Sequence, residues 1–392
     1  MRTEPVPGIQ PAVMRWARRT IGLSVQDVAA RLKRPIEEVE AWESESGARS
    51  PSYAQLEKLA YQIYKRPLAV FFLPAPPEEI SPEREFRTLP DADLQSLAAD
   101  THMQIRRAHA FQIALKELFD DRNPSEQLIW QKIRLTRDAS IVQQAQAIRH
   151  NLGISLEIQT GWKSDDLALK QWRQAIESSG VFIFKAPFKQ KDISGFCLLD
   201  KAFPLIYINN STSKTRQTFS LMHELAHLLL SINGLSKFDN RYIEQLPQAE
   251  KQIEQFCNAV AAEVLIPLSD FEQQIRTFPA DIERVGEEQF SNLANRYGVS
   301  REAILRRFLD QGRVSDAFYT RQSKLWAGQQ KPGSGGDWYA SQNSYLSDRF
   351  AKEVVSRHYR NQLSVEQAAD LLGIKAKNFA GLEQRILNGA AA

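Results

Sequence analysis

The sequence predicts a multidomain chain: an all-α unit, then an α+β domain that is mostly helical with a small sheet, then a small helical tail. Three observations predict it. At 392 residues the chain exceeds what one compact core usually serves. Apolar residues recur at helical spacing over most of its length, whereas strand-like runs gather between 180 and 209. Two stretches, PAPPEEISPERE at 74–85 and GQQKPGSGGDW at 328–338, have the composition of linkers. The expected domains are residues 1–73, 91–315 and 343–392, with linkers at 74–90 and 316–342.

Composition narrows the class. The chain is 43% apolar and 25% charged, as soluble globular proteins are. No apolar run approaches the roughly 18 residues of a membrane span, and MRTEPVPGIQPAVMRW lacks the apolar core of a secretory signal. Two cysteines, Cys197 and Cys257, imply no disulfide framework and fit a reducing cytoplasm. Lys and Arg number 50 against 47 Asp and Glu, so any contact with nucleic acid must rest on local patterning.

In the first unit, an amphipathic stretch from Pro11 ends before Ile21-Gly22. Ser24 is positioned to cap a second helix carrying Val25, Val28, Ala29 and Leu32 at helical spacing. Lys33-Arg34-Pro35 turns into a third helix from Ile36 to about Glu45, and Ser52 starts a fourth with Leu56, Leu59, Ala60 and Ile63. In the middle region, GVFIFKA (180–186), ISGFCLL (193–199) and PLIYIN (204–209) read as strands. Gly195 would let a further backbone approach ISGFCLL, which suits an edge strand that holds a peptide.

The chemistry centres on TFSLMHELAHLLLSING, which holds His-Glu-x-x-His at 223–227. Histidines four apart lie on one helical face, so both imidazoles reach one ion. Zinc suits such ligands, and a catalytic site adds one more protein ligand and an open position. Glu224 projects beside the pair as the general base toward water activated by the ion. Ser213 is expected to cap this helix and Asn233-Gly234 to end it. The third ligand is expected from EKQIEQFCNAVAAEVLIP: Glu254, with Glu250 and His150 as rivals. Asn258, one turn on, is placed to accept the second N–H of a ligand imidazole, and Cys257 suits packing rather than metal. Mn2+ or Fe2+ could occupy the same donors.

Taken together, TFSLMHELAHLLL and the later CNAVAAEVLIP resemble the ImmA/IrrE-like metallopeptidases, over about residues 85–315. The resemblance implies a zincin-like fold and also places a glutamate four residues before the asparagine, which is Glu254 here. Cys257, Val260 and Ile266 depart conservatively from that family's pattern. Residues 11–73 resemble the Cro/repressor-type helix-turn-helix, through LSVQDVAARLKRPIEEVEAWESESGARSPSYAQLEKLA. Leu23, Val28, Ala29, Val39, Trp42 and Leu56 would form its core.

These resemblances imply a regulatory endopeptidase whose substrate is a specific protein, with a transcriptional repressor as the expected class. The alternative is a DNA-binding regulator or antitoxin-like protein with a non-catalytic peptidase fold. The third helix complicates DNA contact, because Glu37, Glu38, Glu40, Glu43 and Glu45 would face a polyanion. Arg15, Arg18, Arg19, Arg31, Lys33, Arg34 and Arg49 could compensate, and protein docking stays open beside DNA. SNLANRYGVSREAILRRFLDQGRVS (291–315) reads as two helices packed on the core through Leu293, Ile304, Leu305 and Phe308. LSVEQAADLLGIKAKNFAGLEQRI (363–386) has a similar cadence and suits a small interaction domain.

Overall fold

A computed structural model describes residues 4–45, 49–79, 86, 94, 97–237, 240–329 and 337–388. It divides into two compact units, residues 1–109 with 188–191, and residues 110–187 with 192–392. Most of the first expected linker and residues 330–336 of the second lie outside the described residues.

In the first unit, α1 (Pro11–Arg19), α2 (Val25–Leu32), α3 (Ile36–Glu43) and α4 (Tyr53–Glu57) follow in order. The α4 segment continues as a π-helical Lys58–Tyr64. Ser24 and Ser52 form capping boxes with Asp27 and Gln55 and so fix two helix starts. Val28, Ala29, Val39, Trp42 and Leu56 are buried together as expected, whereas Leu23 is only partly buried. Helix α3 stops at Glu43, short of Glu45, and the Glu43 carboxylate takes two bonds of 2.7 Å from the Arg18 guanidinium.

Helix α5 (Ala99–Leu118) enters the second unit at residue 110. That unit continues through α6 (Ile141–Leu152) and α7 (Asp165–Ser178) to a sheet of β1 (Phe182–Ala186), β2 (Ile193–Leu198), β3 (Leu205–Asn209) and β4 (Leu235–Lys237). Strand order is β1-β3-β2-β4, with β1 parallel to β3 and the other pairings antiparallel. Strands β1 to β3 are wholly buried, which is why they read as apolar runs. Ile183, Ile206, Ile208 and Cys197 join a core with Leu221, Met222 and Leu225 of α8 (Lys214–Leu229). Phe182, Phe184 and Tyr207 alternate with these residues and meet Phe111 and Phe119.

The edge-strand expectation for ISGFCLL is corrected here. Strand β2 pairs with β3 on one side and β4 on the other, so it is interior. The open side of Gly195 is used by the chain itself, since a Cβ there would lie 2.7 Å from the Tyr207 carbonyl oxygen of β3.

Beyond the sheet come α9 (Gln248–Leu265), α10 (Glu287–Tyr297) and α11 (Arg301–Asp310). Leu293, Ile304, Leu305 and Phe308 are buried in the main core. Arg301 pairs with Glu287, Arg306 with Asp310 and Arg307 with Glu263, so this segment spends its basic groups internally. The stretch expected to open the second linker is instead helical, as α12 (Asp316–Gly328), and puts Phe318 and Trp326 into the same core. In the tail, Phe350 packs edge-on against Phe111 and Phe184, and Arg173 donates to the Ser344 and Leu346 carbonyls. These bonds explain why the tail groups with the second unit. No described helix is long and apolar enough to cross a membrane.

Candidate metal centre

The histidine pair is set by α8. Ser213 caps it, its Oγ accepting from the Arg216 N–H at 3.3 Å. Residues four apart differ by about 40° around a helix, so His223 and His227 point the same way. Helix α9 packs across α8, with Cys257 and Ala261 fully buried, and small side chains permit that approach. Glu254 is thereby brought between the two imidazoles.

His223 Nε2 and His227 Nε2 are 3.1 Å apart. Glu254 Oε2 lies 3.2 Å from His223 Nε2, and its Oε1 lies 3.2 Å from His227 Nε2. Around a tetrahedral ion with ligands at 2.0–2.1 Å, donor atoms stand about 3.3 Å apart. Two imidazole nitrogens and a carboxylate that sets one oxygen beside each of them therefore suit a zinc-sized ion, and among the described residues these three form the cluster able to hold one. Glu250 is half-buried and His150 is exposed, and neither belongs to it.

Several polar atoms of this cluster lack ordinary partners. Among the described residues, both carboxylate oxygens of Glu224 and Nδ1 of both histidines are buried without a hydrogen bond of ordinary length, and the Ser236 hydroxyl is beside Glu224. Leaving such groups unpaired costs about 1–3 kcal/mol each, more for charges, so the arrangement needs something besides side chains to offset it. Glu224 is fully buried, and burial lifts its carboxyl above the ordinary value despite His227, His223 and the Ser236 hydroxyl.

Burial also pushes the Glu254 carboxyl up, yet His227 and His223 outweigh it and hold it below the usual carboxylate range. For His223, burial opposes the charge, but Glu254, Glu224 and Asn258 more than offset it and favour protonation. Proton and metal therefore compete for the same donors. Asn258 stands beside His223, and its hydrogen-bonding side chain favours the protonated ring. Burial raises the thiols of Cys257 and Cys197 far above their ordinary value, as expected of packing groups rather than ligands.

Three features escaped sequence reasoning: the strand β4, the buried Ser236 on it, and the place of Gly234. Helix α8 ends at Leu229 with Ser231 in the left-handed region, before Asn233-Gly234. Gly234 lies instead against the His227 ring. A three-residue strand has no periodic signal, although a glycine shortly after a ligand helix marks a close approach. A cavity of about 550 Å³ is lined by Trp130, Leu225, Leu228 and Leu229 and includes none of the cluster residues.

No curated protein matches the chain in sequence. Residues 176–309, about a third of the chain, match the family model described as an IrrE N-terminal-like domain of the M78 peptidases, a metallopeptidase-type domain that takes in all of His223, Glu224, His227 and Glu254.

Proposed function

We propose that the chain is a regulatory zinc metallo-endopeptidase that cleaves a specific protein, with a transcriptional repressor as the expected substrate class. One observation carries this reading: the imidazole nitrogens of His223 and His227 and the Glu254 carboxylate converge at 3.1–3.2 Å beside the fully buried Glu224. His223, His227 and Glu254 would hold the ion. The chemistry such an ion supplies when bound is Lewis-acid activation of water and of the scissile carbonyl. Glu224 would take the proton from the attacking water and deliver it to the departing amine. Asn258 would steady His223 in its ligand orientation.

The test is Glu224→Ala in the full chain co-expressed with candidate repressors. Metal content should stay at the wild-type level while cleavage falls about 10²–10⁴-fold, the range for losing a general base. Unchanged cleavage would remove Glu224 from this role. A metal-bearing wild type that cleaves none of them would favour the alternative, a DNA-binding regulator with a non-catalytic peptidase fold.

The N-terminal unit resembles a helix-turn-helix, and we favour protein docking over DNA for it. Of the cations that could offset the glutamates of α3, Arg18 is bound by the Glu43 carboxylate. Arg15 donates to the Glu43 carbonyl at 2.6 Å and lies 3.7 Å from the Glu45 carboxylate. Glu37 and Glu40 remain exposed. Duplexes of the chain's own promoter should therefore bind poorly even at low salt, and tight, salt-dependent binding would reverse the preference.

A further inference from the structure

Ligand imidazoles are ordinarily oriented by a hydrogen bond to the ring nitrogen that does not face the metal. His227 has none, since its Nδ1 is buried without a partner among the described residues. The ring is nonetheless tightly seated. A Cβ built on Gly234 would stand 2.6 Å from Cγ, 2.7 Å from Cδ2 and 3.0 Å from Nδ1 of His227. Those distances admit no side chain, so the Gly234 backbone itself forms one wall of the ring's seat.

That wall is fixed from behind. The Cys197 N–H donates to the Gly234 carbonyl at 2.9 Å, and the Gly234 N–H donates back to the Cys197 Sγ at 3.2 Å. Cys197 is fully buried on the interior strand β2. On either side, the Asn233 side chain accepts from the Leu199 N–H at 2.6 Å, and the Ile232 N–H donates to the His227 carbonyl at 3.1 Å.

We propose that Gly234 and Cys197 are positioning residues for His227: the two-bond clasp of Cys197 presses the bare Gly234 backbone against the imidazole and fixes its orientation toward Glu254. The inference rests on the metal-centre reading above. It assigns a task to a cysteine that is neither ligand nor nucleophile, and it explains the glycine without appeal to backbone freedom.

Zn2+ affinity of the full chain, measured by competition with a chromophoric chelator, tests it, together with the visible bands of the Co2+-loaded protein. Gly234→Ala should weaken Zn2+ binding about 10–100-fold, the effect typical of losing an outer support of a ligand, and should shift the Co2+ bands. A merely structural glycine would lower the unfolding midpoint and leave those bands in place. Cys197→Ala should weaken binding about 5-fold, as loss of one buried hydrogen bond does. Cys197→Ser keeps an acceptor for the Gly234 N–H and should recover most of that loss.

Wild-type affinity and unshifted bands in Gly234→Ala would overturn the inference. Should that variant fail to fold, the same result in Cys197→Ala would overturn it. A wild-type chain that holds no ion would overturn the metal-centre reading instead.

Discussion

Helix α9 carries two buried glutamates that the chain treats in opposite ways. Glu254 and Glu263 are 4% and 5% exposed, so each has lost nearly all contact with water. Glu263 is compensated by the protein alone: its Oε1 accepts from the Leu268 N–H at 3.0 Å and its Oε2 meets the Arg307 guanidinium. Arg307 in turn donates to the Ile266 carbonyl at 2.6 Å. Nearby, Asp270 takes bonds from Arg296 at 2.9 Å and Tyr297 at 2.6 Å. Glu254 has only imidazoles, at 3.2 Å, and neither oxygen of its neighbour Glu224 makes a hydrogen bond of ordinary length among the described residues. Buried polar groups in folded proteins are overwhelmingly hydrogen-bonded. The Glu263 carboxylate follows that rule and Glu224 beside Glu254 does not, and the exception coincides with metal-binding donor geometry.

The largest effect expected on stability lies at the satisfied end. Arg307→Ala leaves Glu263 buried and unpaired, so unfolding of the metal-free chain in denaturant should be easier by about 3–5 kcal/mol. Zn2+ affinity should stay within about 2-fold of wild type, since the substitution is remote from the donors. A small stability loss would mean that Glu263 is no better compensated than Glu254, and the contrast would collapse.

A smaller effect is expected from a third buried charge. Lys185 on β1 is pulled down to about 7 by burial, then by Arg173 and Lys214, against the opposing Asp166 and Glu177. Its folded value lies below the unfolded value of 10.5, so the unfolded chain binds more protons between those limits. Stability should rise with pH through that window, and the penalty is fully present below about 7. Lys185→Met should flatten the rise, and an unchanged slope would remove Lys185 as its source.

Much of the site could be read from sequence because its signals are local. His223 and His227 announce themselves by a four-residue spacing on an apolar helix, and Ser213 by its place before that helix. Glu254 was legible because small residues follow it on a helix that ends at proline. What was missed depends on tertiary contact. Nothing in Leu235-Ser236-Lys237 signals a strand, and Gly234 acquires meaning only from the ring it touches. Gly195 was correctly read as a close approach, but the backbone that approaches is the chain's own β3. Helix α12 was mistaken for linker because its apolar residues, Phe318 and Trp326 among them, show no strong period.

Metal stoichiometry of the purified chain and two variants tests the central claim most directly. After Zn2+ loading and dialysis, wild type and Glu250→Ala should each retain one ion per chain. Glu254→Ala should retain little, with affinity reduced by more than about 100-fold, beyond what losing an outer support costs. A wild-type chain without a bound ion, or loss of the ion in Glu250→Ala but not in Glu254→Ala, would contradict the account.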